Sequence, residues 1–353
     1  MLSTPVAHTQ DKSELVSSGA GLAAAIAVET HGELGEGEPI EARSYWNQVW
    51  RRFRRDKVAI GSGIFIIFLV LAAAIGGPIA AAILGHGPSD IFFDGVDEDL
   101  LPVGPWTYVT DPNGGETLFI LGADGTLGRD EFLRLLYGAR VSLEVAVLST
   151  LTTTVIGLLL GAIAGFYRGW IDTVISRVIE VTMAFPALLF IIALAATIGD
   201  RLNNVTLGFF DRGVLTLLFV FTLFGWFYPA RIVRSQVLSL REKEFVEAAR
   251  MVGASDWKIV RSHVIPHLVA PVIVVSTLAV ASYVLGEAGL SFLGLGIKLP
   301  TPSWGNLLST APEFYTAQPW LMVWPGLAVL LTTLAFNLLG DGLRDAFDPR
   351  SSH

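Results

Sequence analysis

Between Lys57 and Asp90 the chain carries no acidic or basic side chain, and Ile60 to Leu84 within that interval reads as one apolar helix. About 20 apolar residues in a helix cross the ~30 Å hydrocarbon core of a bilayer. Comparable stretches follow at Val145 to Phe166, Ile175 to Ile198, Gly213 to Ala230, Leu268 to Leu285 and Leu321 to Leu339. Composition agrees: 52% of the 353 residues are apolar and 16% charged, where a soluble domain carries about 25% charged residues. The expected fold is an all-α polytopic membrane protein of about six transmembrane helices. A net charge of -8 argues against nucleic acid as a partner, because phosphate binding needs a concentrated basic surface. Without cysteine there is no disulfide framework, thiolate metal site or cysteine nucleophile.

Lys and Arg collect on the cytoplasmic side of membrane proteins. With the N-terminus inside, 16 of them fall in inner segments, from Arg51 to Arg350, against six outside: Arg129, Arg134, Arg140, Arg201, Arg212 and Lys298. Both termini are then cytoplasmic. Residues 1–44 hold seven acids against Lys12 and Arg43 and read as an acidic, disordered cytoplasmic tail; the apolar stretch Gly19 to Val28 is too short to span and lacks the basic flank of a signal peptide. Residues 45–84 combine a basic amphipathic segment, with Trp46, Trp50 and Phe53 on one helical face, with the first span. Such a face suits the inner membrane surface. Residues 85–133 form an outer loop with ten acids and one base, Arg129. In it, Trp106 to Thr110 and Glu116 to Leu121 flank a turn-rich Asp111 to Gly115, which reads as a hairpin. Asp111 and Asn113 resemble the start of a calcium loop, but Gly122 stands where an EF-hand needs its twelfth-position Glu; a solvated acidic cap is the simpler reading. Five spans occupy 134–343, and 344–353 is a cytoplasmic tail.

The inner segment around 231–268 is helix-forming. Glu244 to Val252 ends at Gly253, a natural left-handed C-cap, and Ser255 can N-cap a second short helix with Asp256 in its first turn. Pro266 is expected to stop that helix before the next span. Phe245, Met251, Val252 and Trp257 are available for packing, and a helix–corner–helix of this kind can dock into a groove on another protein.

Glu247-Ala-Ala249, then Gly253, then Ile265-Pro266 resembles the EAA loop of membrane subunits of bacterial ATP-binding-cassette importers. Tyr228 to Arg250, Trp50 to Lys57, Leu127 to Asp130 with Tyr137 to Ser142, Glu287 to Gly296 leading to Pro302-Ser-Trp-Gly305, and Asn337 to Arg350 narrow the resemblance to the C-type permease of the dipeptide/oligopeptide branch. It covers about residues 46 to 350. The chain departs from the family pattern at Leu121 to Asp130, one residue longer than usual, and in its long outer loop and acidic tail. The resemblance implies an inner-membrane transport subunit with no catalytic site. It implies a heterodimer with a second, B-type permease, surrounded by membrane lipid, two ATPase subunits holding ATP and magnesium, and an extracytoplasmic peptide-binding protein. Glu247, Ala248, Ala249, Gly253, Ile265 and Pro266 would then be the coupling residues toward the ATPase. No Gly-x4-Gly-Lys-Ser/Thr occurs in the chain, so it lacks the phosphate-cradling loop itself. On residue chemistry alone, Ala248, Ala249 and Gly253 also simply make a good helix end. The substrate implied is a dipeptide or oligopeptide, with nickel and glutathione as alternatives within the family.

Gly157, Gly161 and Gly165 recur every fourth residue, a surface for close helix packing. Glu144, Glu180 and Glu287 lie near span ends, where pairing (Glu144 with Arg140, Glu180 with Arg177) competes with a substrate role. His263 and His267 are four apart, a metal-compatible helical spacing, but Pro266 intervenes and no third ligand is evident. Pro186, Pro229 and Pro325 interrupt or flank spans. A membrane-embedded enzyme would need a convergent catalytic constellation, and an ion-driven secondary transporter would show internal repeats; the sequence displays neither.

Overall fold

The computed structural model describes residues 45–110, 114–203 and 213–348. The acidic tail, the Asp111 to Asn113 turn with its calcium-loop reading, Arg212 and Arg350 lie outside them. The chain divides into two units, Met1–Gln48 and Val49–His353; of the first, residues 45–48 are described, as the start of helix α1 (Tyr45–Phe53).

Asp56 opens α2 (Lys57–Leu84) by accepting backbone N–H bonds from Val58 (2.9 Å) and Ala59 (3.0 Å). These bonds satisfy donors that a helix start leaves free. The helix passes through a π turn at Ala72–Gly76 and ends at Gly85, whose φ is 81°. Its Ile64, Ile67, Phe68 and Ile83 are exposed, as expected of a helix with one side against lipid. Two short antiparallel pairs follow, β1 (Thr107–Thr110) with β2 (Glu116–Phe119) and β3 (Ala123–Asp124) with β4 (Arg129–Asp130). Phe92, Val109, Phe119 and Ala123 form a small core there, with Phe92 and Phe119 edge to face at 5.1 Å. Buried Asp124 ties this element down through Arg129 (2.9 Å) and Arg134 (2.5 Å).

Helix α3 (Glu131–Tyr167) starts well before the apolar stretch at Val145, because Asp130 caps it through Phe132 N–H (2.8 Å) and Leu133 N–H (3.3 Å). The third apolar stretch is two helices, α4 (Gly169–Ala184) and α5 (Ala187–Asn203), bent by 86°. The cause is Pro186: the residue before a proline is driven out of the helical region, and Phe185 sits at φ -93°, ψ 147°. Helix α6 (Val214–Leu240) has a turn at Trp226, which lets Pro229 lie in a fresh first turn where its missing N–H removes little.

Helix α7 (Glu244–Met251) is followed by α8 (Asp256–Phe292). The expected stop at Pro266 does not occur. A π turn at Val260–Val264 carries the short helix directly into the span, and Pro266 falls in the first turn of the α-helical run that resumes at Ile265. Proline is tolerated there for the same reason as Pro229. Ser303 and Asn306 make a capping box for α9 (Trp304–Thr310), and α10 (Trp320–Phe347) completes the described fold, with Pro325 buried inside it. Five helices are long and apolar enough to cross a membrane, six with the bent pair taken as one. The chain is a multi-pass membrane protein.

Two cores hold the spans together. One joins α2, α3, α8, α9 and α10 through Ala73, Leu143, Val284, Trp304 and Phe336. The other joins α3, α6, α7 and α8. Between α3 and α6, a Cβ on Gly157 would stand 2.9 Å from Ala230 N, on Gly161 2.5 Å from Ala230 O, and on Gly165 2.8 Å from Arg234 O. The glycine stripe is a backbone-to-backbone contact.

Candidate functional site

The segment between α6 and α8 acquires its shape from its own backbone. At the end of α7, Gly253 adopts φ 86°; its N–H bonds Arg250 O (2.9 Å), and Ala254 N–H bonds Ala249 O (3.0 Å). This pair of bonds is the Schellman closure, and it needs a residue tolerant of positive φ. No atom outside its own neighbours comes within 4 Å of a Cβ built on Gly253. Its role inside the chain is therefore conformational, and the space beside it is open. Ser255 holds the N-cap position of the next turn in extended conformation, without a side-chain cap bond.

One face of this corner is fixed. Val246, Ile259, Val260, Val264 and Leu268 are buried with Ala162 and Phe166 of α3 and Val233 and Val237 of α6, and Phe245, Ala249, Ala254 and Ile265 pack against them. Phe245 stacks on His267 at 5.1 Å and 11°, while His267 Nδ1 donates to His263 O (2.6 Å); the two histidines serve packing and the helix backbone. The end of α3 is clasped from the same side. Arg241 Nη1 donates to Phe166 O (2.6 Å), the Arg250 guanidinium lies 5.4 Å over the Phe166 ring, and Arg168 meets Glu242 at 2.5 Å.

The other face is bare. Glu247, Ala248 and Pro266 are exposed, and beside them Met251 is 83%, Val252 89% and Trp257 56% exposed. Grouped apolar side chains left in the open mark an interaction surface. Small Ala248 permits close approach, and Glu247 offers an acceptor. Of the six residues expected to act in coupling, Glu247, Ala248, Gly253 and Pro266 lie on the open side, whereas Ala249 and Ile265 are partly buried in the core beneath. Sequence reading did not single out Phe166, Arg241 and Val246, which anchor the corner. Val246 carried a usable signal, being three residues before Ala249 on the apolar face of α7; the Phe166 contacts are long-range and had none.

The remaining candidates resolve differently. Glu180 pairs with Arg177 (2.8 Å) in an exposed pair. Glu287 is fully buried and accepts from Ser142 Oγ and Ser291 Oγ, both at 2.7 Å, while Ser142 Oγ also accepts Trp304 N–H (3.2 Å). It is a knot joining α3, α8 and α9.

Residues 157–353 match the family model described as binding-protein-dependent transport system inner membrane component, and residues 44–102 match the N-terminal TM domain of oligopeptide transport permease C. The glutathione transport system permease protein GsiD of Pectobacterium atrosepticum is 37% identical over 87% of this chain and 92% of its own length. GsiD of Escherichia coli is 38% identical over 89% and 93%. The dipeptide transport system permease protein DppC of Alkalihalophilus pseudofirmus is 36% identical over 88% and 91%. Both family segments fall on the elements just described, the first covering α4 to α10 with the corner at Gly253 and the second covering α1 and α2. The chain belongs to the binding-protein-dependent transport system inner membrane components, as a permease of ABC importers.

Proposed function

We propose that this permease imports short peptides, forming half of a translocation pathway with a second permease of the B type and coupling to separate ATPase subunits through the corner at Gly253. An extracytoplasmic binding protein delivers the peptide, and both termini face the cytoplasm of the inner membrane. The observation that carries the coupling role is the two-sided corner. Its exposed Ala248, Met251, Val252 and Trp257 offer a docking face, and its buried face is wedged among α3, α6 and α8. A push on the open face is thereby delivered to three spans at once. ATP and magnesium belong to the ATPase subunits. Glutathione is the second reading for the substrate: it too is a short peptide, and the GsiD relatives carry its name while DppC carries that of dipeptides.

The test is purification of the complex in mild detergent, with identification of its subunits, an ATPase assay, and uptake of dialanine and glutathione in reconstituted vesicles. The expected result is a second permease and a P-loop ATPase in the preparation, and uptake of at least one of the two peptides. In Gly253→Asp, hydrolysis loses its dependence on peptide, because the left-handed corner no longer closes. Normal peptide-dependent hydrolysis in that variant overturns the coupling assignment. Absence of uptake of both probes overturns the substrate reading.

A further inference from the structure

A cavity of about 460 Å³ opens between α4 and α6, on the α4 side of the 86° break. Glu180, Met183 and Ala184 line it from α4, and Arg231 and Arg234 from α6. Its volume falls within the range of about 300–1,000 Å³ typical of small-molecule sites. Charged side chains within membrane-spanning helices are costly and mark substrate paths, and spans broken by proline are where membrane carriers build binding sites. Both features meet at this cavity.

Its charges are not equivalent. Arg234 is satisfied, with Nε 2.5 Å and Nη2 2.8 Å from the two oxygens of Asp172. Arg231 is exposed and has no hydrogen-bond or ion-pair partner among the described residues. Glu180 is held by Arg177 alone, in a pair whose side chains are 61% and 75% exposed; such a pair is weak and readily exchanged. The cavity thus offers one unpaired guanidinium, one carboxylate that can be released, and an apolar wall at Met183 and Ile179.

We propose that this cavity holds the substrate inside the permease, Arg231 taking the peptide carboxylate and Glu180 its ammonium group. This rests on the peptide reading above and adds where within this chain the peptide is held and by which charges. Guanidinium-to-carboxylate bonds are charge-assisted and directional, so a free C-terminus is the expected determinant. The head group of phosphatidylethanolamine carries the same two charges, and the experiment separates it.

The chain has no cysteine, so Ala184→Cys places a single thiol in this subunit at the cavity wall. Its alkylation rate is measured in the complete complex, in nanodiscs with and without phosphatidylethanolamine, and against dialanine, S-methylglutathione and N-acetyl-dialanine amide. At ten times its apparent Kd, the transported peptide should slow labelling about tenfold, while the doubly blocked dialanine should not. Losing one charge-assisted bond weakens binding about tenfold, so adding Arg231→Gln should cut the protection to about twofold; Glu180→Gln should do the same for free dialanine and leave N-acetyl-dialanine unaffected. Uptake without protection, or protection unchanged in both variants, overturns the proposal. Protection by phosphatidylethanolamine and not by peptide also overturns it, in favour of a lipid site. Absence of uptake of either peptide overturns the substrate reading first, and this one with it.

Discussion

His86 shows how a single side chain can tie an outer element to a span. Its Nδ1 lies 3.2 Å from Leu84 O and its Nε2 3.0 Å from Asp130 Oδ2, while the rings of Phe92 and Phe119 pack at 4.9 and 5.9 Å. Acceptors at both ring nitrogens are satisfied together by the doubly protonated imidazolium. Burial pulls the His86 pKa down, but the hydrogen bond and charge of Asp130, helped by Leu84 O and Asp90, outweigh it and the net direction is up from 6.5. A raised folded-state pKa contributes stability that is fully present below the unfolded value and is lost as pH rises through the folded one. The outer element at residues 85–130 should accordingly loosen as pH goes from mildly acidic to mildly alkaline. Protease cleavage within it should accelerate over that range in the native protein and show a flatter response in His86→Gln; equal pH responses in both would dismiss the ion pair as the cause. Asp130 does two jobs here, since its Oδ1 caps α3, so opening the pair leaves the helix start intact.

At the scale of elements, the packing of α3 on α6 is set by absence of side chains. A leucine at Gly161 would collide with Ala230 O and with Val233, and overpacking of this kind costs about 1–3 kcal/mol or forces the helices apart. Gly161→Leu should lower the thermal stability of the detergent-purified protein and reduce coupling, because Ala162, Val233 and Val237 next to the contact belong to the core that seats α7. Unchanged stability and coupling would mean that α3 and α6 separate freely. This contact was legible in the sequence, since small residues every four positions have a single geometric reading on a helix. So was the corner at Gly253, where local backbone rules suffice. The bend at Pro186 was only half legible: proline announces an interruption, but the apolar run on either side is as continuous as in a straight span. Pro266 misled, because the same missing N–H that ends one helix is harmless in the first turn of the next, and only the π turn at Val260–Val264 decides between them. The cavity at Arg231 was illegible, since it depends on two helices 50 residues apart and on Arg234 being occupied by Asp172 while Arg231 is not.

Whole-molecule topology turns on whether α4 and α5 together cross the membrane or dip in and return. Five crossings would put the chain ends on opposite faces, and six put them on the same face. Arg52 Nη1 donates to Asp348 O at 2.6 Å, which brings the start of α2 and the end of α10 to one side. Independently, Arg241 just past α6 donates to Phe166 O at the end of α3. If the bent pair merely dipped, α6 would carry the chain from that face to the other and Arg241 would lie a membrane thickness, about 30 Å, from Phe166. Both contacts require the bent pair to cross, and the distribution of Lys and Arg then assigns the shared face to the cytoplasm. Single cysteines can be read without background in a cysteine-free chain. Trp50→Cys and Asp348→Cys should both resist a membrane-impermeant maleimide in intact spheroplasts and react after permeabilisation, whereas Tyr108→Cys in β1 should react at once. Reaction of Trp50→Cys and Asp348→Cys from opposite sides would make the crossing number odd and α4–α5 a re-entrant loop. The cavity at Arg231 would then no longer lie on a path through the membrane, so this topology measurement also bears directly on the substrate site.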